Sequence, residues 1–398
     1  MPRSRRRRNL ALATVICLAL VLGCSLPGRL LGEVPGSTAA TNSPGGGAPP
    51  TPGNVPAPES LVVTHQAADF QVYSLDGALV ETRSAEGLAY ARPNTAQVVG
   101  ESIYYVASGG SSLGGVVRRV TADGVETLDF TSAEPQASLT FAVSDDDQRI
   151  AWAYSGYDSA GASSQLWIAE IDGGNSQMIV ESDPADSLAE YFALEAMRWM
   201  DDGDLIYAWQ VTGIGGYILF FGWSSLYRYS PAEDASTPLV PATEEGAGPC
   251  WFGLSPDGEY AAGGCGEEGM RERELASGTD TVLEVLPDQG QQGAAAYSPS
   301  GARLAYAIAR GNPDDEAGQV LLRLRRGEAP TAIASESPGY FDRILWADED
   351  RMVVGYFLRE GGSVDLLNVD GTRSPIGDGA LMGLMRPAAT TASAGPDE

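Results

Sequence analysis

Lysine is missing from these 398 residues, and every one of the 25 basic residues is arginine. Against them stand 53 acidic residues, for a net charge of −28. Such an imbalance repels phosphate backbones and anionic lipid surfaces, so nucleic acid is excluded as a partner class. Histidine occurs once, at His65. A lone histidine in an apolar strand pattern reads as a strand residue, without the second and third ligands a metal site needs. No stretch is apolar over the roughly 18 residues that a spanning helix needs. No segment shows sustained helical periodicity between caps. The best helix candidate is the short run Leu188 to Met197. Cysteine is scarce, with four in all. No cofactor motif and no catalytic constellation stand out.

What is present begins with a basic cluster, Arg3 and Arg5 to Arg8, followed by an apolar stretch from Leu10 to Gly23. This is the layout of a secretory signal peptide. Its end, Val21-Leu22-Gly23-Cys24, resembles a bacterial lipobox, with Val21 where leucine is usual and Leu22 where a small residue is usual. The resemblance implies cleavage before Cys24 and diacylation of its thiol; the alternative is an uncleaved N-terminal anchor. Either way the rest of the chain is expected outside the cytoplasm, held at a bacterial membrane. Loss of residues 1–23 removes five arginines and no acid, taking the net charge from −28 to about −33.

Four regions follow: a signal peptide at 1–23, a disordered tether at 24–58, a folded domain at 59–386 and a tail at 387–398. The tether contains Gly45-Gly46-Gly47-Ala48-Pro49-Pro50, which has almost nothing to bury. Once Cys17 leaves with the signal and Cys24 is lipidated, only Cys250 and Cys265 remain. They flank one hairpin, nearly opposite each other, and outside the cytoplasm such a pair is expected to form a disulfide.

That hairpin holds the clearest turn in the chain, Ser255-Pro256-Asp257-Gly258, between Trp251-Phe252-Gly253-Leu254 and Tyr260-Ala261-Ala262. Proline presets φ for the second turn position, and Asp-Gly suits the tight positions after it. Weaker copies are Ser298-Pro299-Ser300-Gly301, Ser144-Asp145-Asp146-Asp147, Met200-Asp201-Asp202-Gly203 and Ala347-Asp348-Glu349-Asp350. Alternating strands that end in Asp-Gly recur between them, as in Leu166 to Gly173 and Val364 to Gly371. Four strands every 40 to 55 residues is the pattern of a β-propeller. With Leu304-Ala305-Tyr306 and Ile150-Ala151-Trp152 after two of the turns, residues 59–386 resemble the TolB-type, WD40-like propeller repeat. The resemblance implies an all-β ring and leaves function open.

Six full units begin near residues 86, 132, 183, 242, 287 and 334. A half-unit at Leu61 to Val80 lacks an innermost strand, and the orphan run Ala380 to Met385 can supply it. Seven blades are expected, closed by pairing of the chain's two ends, with six or eight as alternatives.

Three candidate sites compete with plainer readings. Gly110-Ser111-Ser112-Leu113-Gly114 has the Gly-x-Ser-x-Gly spacing but not the strand–turn–helix setting or the later histidine of a nucleophile elbow. The acidic turns lack the spaced ligands of a calcium loop and read as solvated turns. The run Tyr217-Ile218-Leu219-Phe220-Phe221-Gly222-Trp223 is apolar where other units carry polar Gly/Ser loops. Tyr217, Phe220, Phe221 and Trp223 are therefore the candidate partner contact, against the alternative of a lengthened strand that packs in the core. The reading is a binding scaffold for a protein, peptide or glycan. An enzyme with paired carboxylates in the central funnel and a structural envelope-assembly protein are the alternatives.

Overall fold

The computed structural model describes residues 59–386, apart from 89–94, 109–113, 134–136, 159–160, 183–191, 212–221, 242–250, 265–268, 286–290, 311–318, 327–329, 337–339 and 359–360. Every regular element among the described residues is a β-strand.

The strands fall into successive antiparallel sets of four. Set 1 joins β1 (Leu61–Gln66), β2 (Asp69–Tyr73) and β3 (Leu79–Ser84) to the last strand, β28 (Ala380–Met385). Set 2 holds β4 (Ala96–Val99), β5 (Ser102–Ala107), β6 (Gly115–Thr121) and β7 (Gly124–Ala133). Set 3 holds β8 (Ala137–Val143), β9 (Arg149–Asp158), β10 (Gly161–Glu170) and β11 (Gln177–Glu181). Set 4 holds β12 (Phe192–Trp199), β13 (Leu205–Val211), β14 (Trp223–Ser230) and β15 (Ala235–Val240). Set 5 holds β16 (Trp251–Leu254), β17 (Tyr260–Gly263), β18 (Met270–Glu274) and β19 (Thr279–Glu284). Set 6 holds β20 (Gln291–Tyr297), β21 (Arg303–Arg310), β22 (Gln319–Arg326) and β23 (Pro330–Glu336). Set 7 holds β24 (Tyr340–Trp346), β25 (Arg351–Leu358), β26 (Gly361–Asn368) and β27 (Arg373–Asp378). Sets 4 and 5 are continuous as one eight-stranded sheet, because β16 pairs with β14 at Trp251 and Trp223.

The innermost strands touch in sequence: β28 lies against β4, β4 against β8, β8 against β12, β16 against β20, β20 against β24, and β24 against β28. Four-stranded sheets arranged so that their first strands surround an axis make a β-propeller. The expected closure is present. Leu61 pairs with Met385, Val62 with Leu384 and Val63 with Gly383. The stretch with helical composition, Leu188 to Met197, is corrected: from Phe192 onward it is strand β12. Ala, Leu, Glu and Met favour helices only weakly, and pairing to β13 on an inner edge overrides them.

The repeated serine explains the repeated turn. Ser144 Oγ donates to Asp146 Oδ1 at 2.5 Å and accepts from the Arg149 amide at 2.9 Å. Ser255 does the same with Asp257 at 2.5 Å and the Tyr260 amide at 2.9 Å. Each hydroxyl is buried and replaces a backbone partner across the hairpin. The fourth turn position takes a left-handed backbone, with φ of +72° at Gly258 and +74° at Gly301. Asp147 holds the same position at +59°. Aspartate tolerates that conformation better than most residues.

Polar side chains bolt neighbouring sets together. Trp199 Nε1 donates to the Ala142 carbonyl at 3.1 Å, and Trp346 Nε1 to that of Ala296 at 3.0 Å. The Gln97 amide both donates to and accepts from the Val143 backbone, at 2.9 and 2.7 Å. Arg198 reaches from β12 to the Ser255 and Pro256 carbonyls at 2.8 and 3.1 Å. Burial lowers its guanidinium from the ordinary value, while Asp145, Asp201 and Asp257 pull it back up.

The single histidine sits at the closure. His65 lies opposite Phe70 on one side and Ala380 on the other. Its Nε2 is buried with no hydrogen-bond partner among the described residues. Burial lowers its pKa from 6.5, partly offset by the Ala67 backbone and the Asp69 charge. The unfolded chain therefore binds the proton more readily than the native ring. Stability on this account is flat above the unfolded value and falls as pH drops through it, until the folded imidazole is protonated too. Urea midpoints taken from about pH 7.5 to about pH 5.5 should fall less steeply in His65→Gln than in the parent. Identical slopes would remove His65 from the account.

Candidate functional site

Antiparallel order puts the turns between first and second strands at one end of each set. The connections between second and third strands lie at the other end. Trp223, the first residue of β14, lies at that second end. Tyr217, Phe220 and Phe221 lie outside the described residues, as do Cys24, Cys250, Cys265 and the Gly110 to Leu113 segment. Trp223 is described and opens β14.

Three strands bring side chains to Trp223. A bulge between Trp209 and Gln210 sets Gln210 opposite Trp223, and Trp223 in turn faces Trp251 across the join between sets 4 and 5. Glu195 comes from β12, one strand further in, and its Oε2 accepts from Trp223 Nε1 at 3.2 Å. Glu195 is only 7% exposed and Trp251 only 4%, whereas Trp223 is half-buried. Below them lies an apolar floor of Ala208, Leu226, Val240, Ala261 and Leu275. The pairing of Trp251 with Gly263 brings together the two strands that adjoin Cys250 and Cys265.

Charge is already handled on one of the two indoles. The Arg273 guanidinium lies 5.0 Å from the Trp251 ring centroid. Arg273 also grips Asp280 with two bonds, Nε to Oδ1 at 2.6 Å and Nη2 to Oδ2 at 2.9 Å. That grip holds the Asp280 carboxyl below its ordinary value. Trp223 itself packs against the apolar cluster that contains Trp251.

The corner can therefore offer a flat, oriented indole face beside a buried carboxylate. Sequence reading found Trp223 but missed Glu195, Trp209 and Trp251. The signal for Glu195 was a single acid in the apolar run Phe192-Ala193-Leu194-Glu195-Ala196-Met197.

The innermost strands bear on catalysis in the funnel. Within their described spans only Glu195 and Asp342 are carboxylates. Glu195 is bonded to Trp223. Among the described residues no group of three or more His, Cys, Asp or Glu side chains stands where it could hold a metal ion. No helix among them is long and apolar enough to cross a membrane.

No family model matches the chain, and no curated protein does. Solved structures do. A crystal structure of a protein from Lactobacillus plantarum aligns with a TM-score of 0.50 at 15% identity, covering 82% of this chain and 98% of that one. Oligogalacturonate lyase from Vibrio parahaemolyticus aligns at 0.47 and 10% identity, over 78% of this chain and 91% of its own. TolB from Acinetobacter baumannii aligns at 0.43 and 10%, over 81% and 80%. At such identities a likeness concerns fold alone, and the last two scores are too low to carry any argument. The protein is an all-β propeller whose two ends pair in one sheet.

Proposed function

We propose that this chain is a seven-bladed, lipid-anchored extracytoplasmic propeller that acts as a binding module for a protein, peptide or glycan. The corner of Trp223, Glu195 and Trp251 is its contact. The observation that carries this reading is the half-buried Trp223 ring, oriented by a buried carboxylate on a strongly acidic chain. Aromatic side chains held rigidly are the usual anchors of binding surfaces. Tyr217, Phe220 and Phe221 precede Trp223 in sequence and extend the contact in this reading.

The test is a pair of measurements on one variant. Trp223→Ser should leave the melting temperature within about 4 °C of the parent, as for a change of about 1 kcal/mol or less. It should also weaken capture of the partner recovered by crosslinking on intact cells. A core truncation would instead cost about 3–5 kcal/mol. Collapse of stability without separable loss of binding would make Trp223 ordinary core.

Anchoring belongs to the same proposal, supported by the Val21-Leu22-Gly23-Cys24 motif and the basic cluster before it. Mass analysis of the membrane-extracted protein should find the chain starting at a lipidated Cys24. Cys250 and Cys265 should be joined, with neither thiol alkylated in unfolded, unreduced protein. A chain that retains residues 1–23 without lipid would favour the uncleaved anchor, and two labelled thiols would exclude the disulfide.

A further inference from the structure

We propose that the outer edge of β19 takes up an extended, basic segment of a partner protein as a fifth strand of set 5. This surface lies apart from the Trp223 contact and does not depend on it.

An outermost strand leaves every second N–H and C=O unpaired, and proteins blunt such edges with proline, charge or shortness. Here β15 holds Pro238, β23 opens on Pro330 and β27 holds Pro375. β3 carries the Glu81–Arg83 ion pair, and β7 exposes Glu126 and Asp129. β11 is only five residues long, and its Gln177 Nε2 donates to Asp234 of the next set at 3.0 Å.

β19 lacks these guards. It contains no proline. Its two acids are neutralised, Asp280 by Arg273 and Glu284 by Arg323. It ends its sheet, with no strand beyond it among the described residues. Thr279 to Val282 are exposed in succession, Val282 is 54% exposed, and Val285 just past the strand is 71% exposed. A bulge gives Arg271 and Met270 the partners Val282 and Glu284, passing over Leu283. Val285 therefore falls two ladder steps beyond Val282 and on the same face. It stands opposite Gly269, where an added Cβ would lie 2.9 Å from Val285 Cα. Two exposed valines on one face, beside an open ladder, suit a strand that brings its own apolar residues at every second position.

Charge selects which strand. A second copy of this chain would bring another −28 against the first, and net charge of that size opposes self-association. The same field draws in a basic segment. With its own acids already paired, the edge sets register through the ladder and the valines, and the wider acidic surface supplies the attraction.

The probes are an octapeptide in which valine alternates with threonine and arginine, the same peptide with alternate amides N-methylated, and the same peptide with glutamate for arginine. Each is titrated calorimetrically into the mature protein, and hydrogen exchange of the β19 amides is followed by mass spectrometry. Val282→Lys places a charged guard on the edge. Val125→Lys makes the same charge change on β7, where Val125 is 48% exposed. Both variants should melt within about 4 °C of the parent. The arginine peptide should bind and slow exchange across β19, and the glutamate peptide should not bind. N-methylation should weaken binding about 10-fold or more, because the ladder bonds are lost. Val282→Lys should weaken it about 3- to 30-fold, and Val125→Lys less than about twofold. Absence of binding, or binding without protection of β19, would overturn the proposal. So would equal losses in the two variants, or equal binding by the N-methylated peptide, since either reduces the effect to diffuse charge. A reversible dimer in sedimentation that Val282→Lys abolishes would give the edge to a second copy and overturn the basic partner.

Discussion

Truncation after Gly379 should destroy the monomeric ring. The deleted strand, β28, feeds two cores at once. Met382 and Met385 pack with Val63, Phe70 and Tyr105, while Leu381 packs with Val62, Val353 and Val364. All three β28 side chains are essentially buried. Burying such side chains contributes about 1.5–3 kcal/mol each. Their joint loss therefore approaches the whole stability of an ordinary domain, about 5–15 kcal/mol. The deletion also uncovers β1 as an open inner edge, a template for pairing with other chains. Size-exclusion chromatography should show aggregate, and calorimetry should show no cooperative transition. A finer probe acts on the same strand. At Gly383 an added Cβ would stand 2.4 Å from Val98 Cγ2, so Gly383→Val should lower the melting temperature without removing the strand. A soluble, cooperatively melting monomer after the truncation would mean that closure is not what holds the ring.

The second large effect is expected at the junction of sets 5 and 6. Arg323 on β22 reaches Glu284 on β19, with Nε at 2.9 Å from Oε2 and 3.1 Å from Oε1, and Tyr306 donates to the same carboxylate at 3.1 Å. Both charged side chains are only 15% exposed. Beside them Arg325 clasps Glu272 at 2.6 and 2.9 Å, and Tyr297 donates to Glu272 at 3.0 Å. Burial first, and the carboxylates second, push both phenols well above the ordinary tyrosine value. Arg323→Met strands a buried carboxylate, so it should cost about 3–5 kcal/mol in denaturant unfolding at neutral pH. Adding Glu284→Leu removes the stranded charge, and the double variant should regain most of the loss. If the single variant is as stable as the parent, solvent reaches Glu284 and the pair is a surface one.

Much of the ring could be read from local chemistry. The serine–aspartate–glycine turns announced hairpins because a buried hydroxyl and a left-handed fourth position are needed wherever such a turn occurs. The alternation of Leu166 to Glu170 announced a half-buried strand for the same local reason. The orphan run Ala380 to Met385 announced closure, because an apolar strand without a hairpin partner has to find one elsewhere. The helical composition of Leu188 to Met197 misled for the converse reason. Intrinsic preference there is worth tenths of a kilocalorie per residue, and the inner-edge position of β12 outweighs it.

Fold class, closing strands, extreme acidity and an apolar run ending at Trp223 were determined by the sequence itself. Those properties depend on composition, on period and on turns of a few residues. What only the tertiary structure decided is which groups meet. Glu195 and Trp223 are 28 positions apart, and Arg323 and Glu284 are 39 apart. Trp223 meets Trp251 only because β16 takes up pairing with β14 beyond the end of β15. Contacts of that kind follow from strand register, from single-residue bulges and from the packing of one set against the next. A one-residue shift in register turns a side chain to the other face of its sheet, and nothing in the local pattern of residues records which shift was taken.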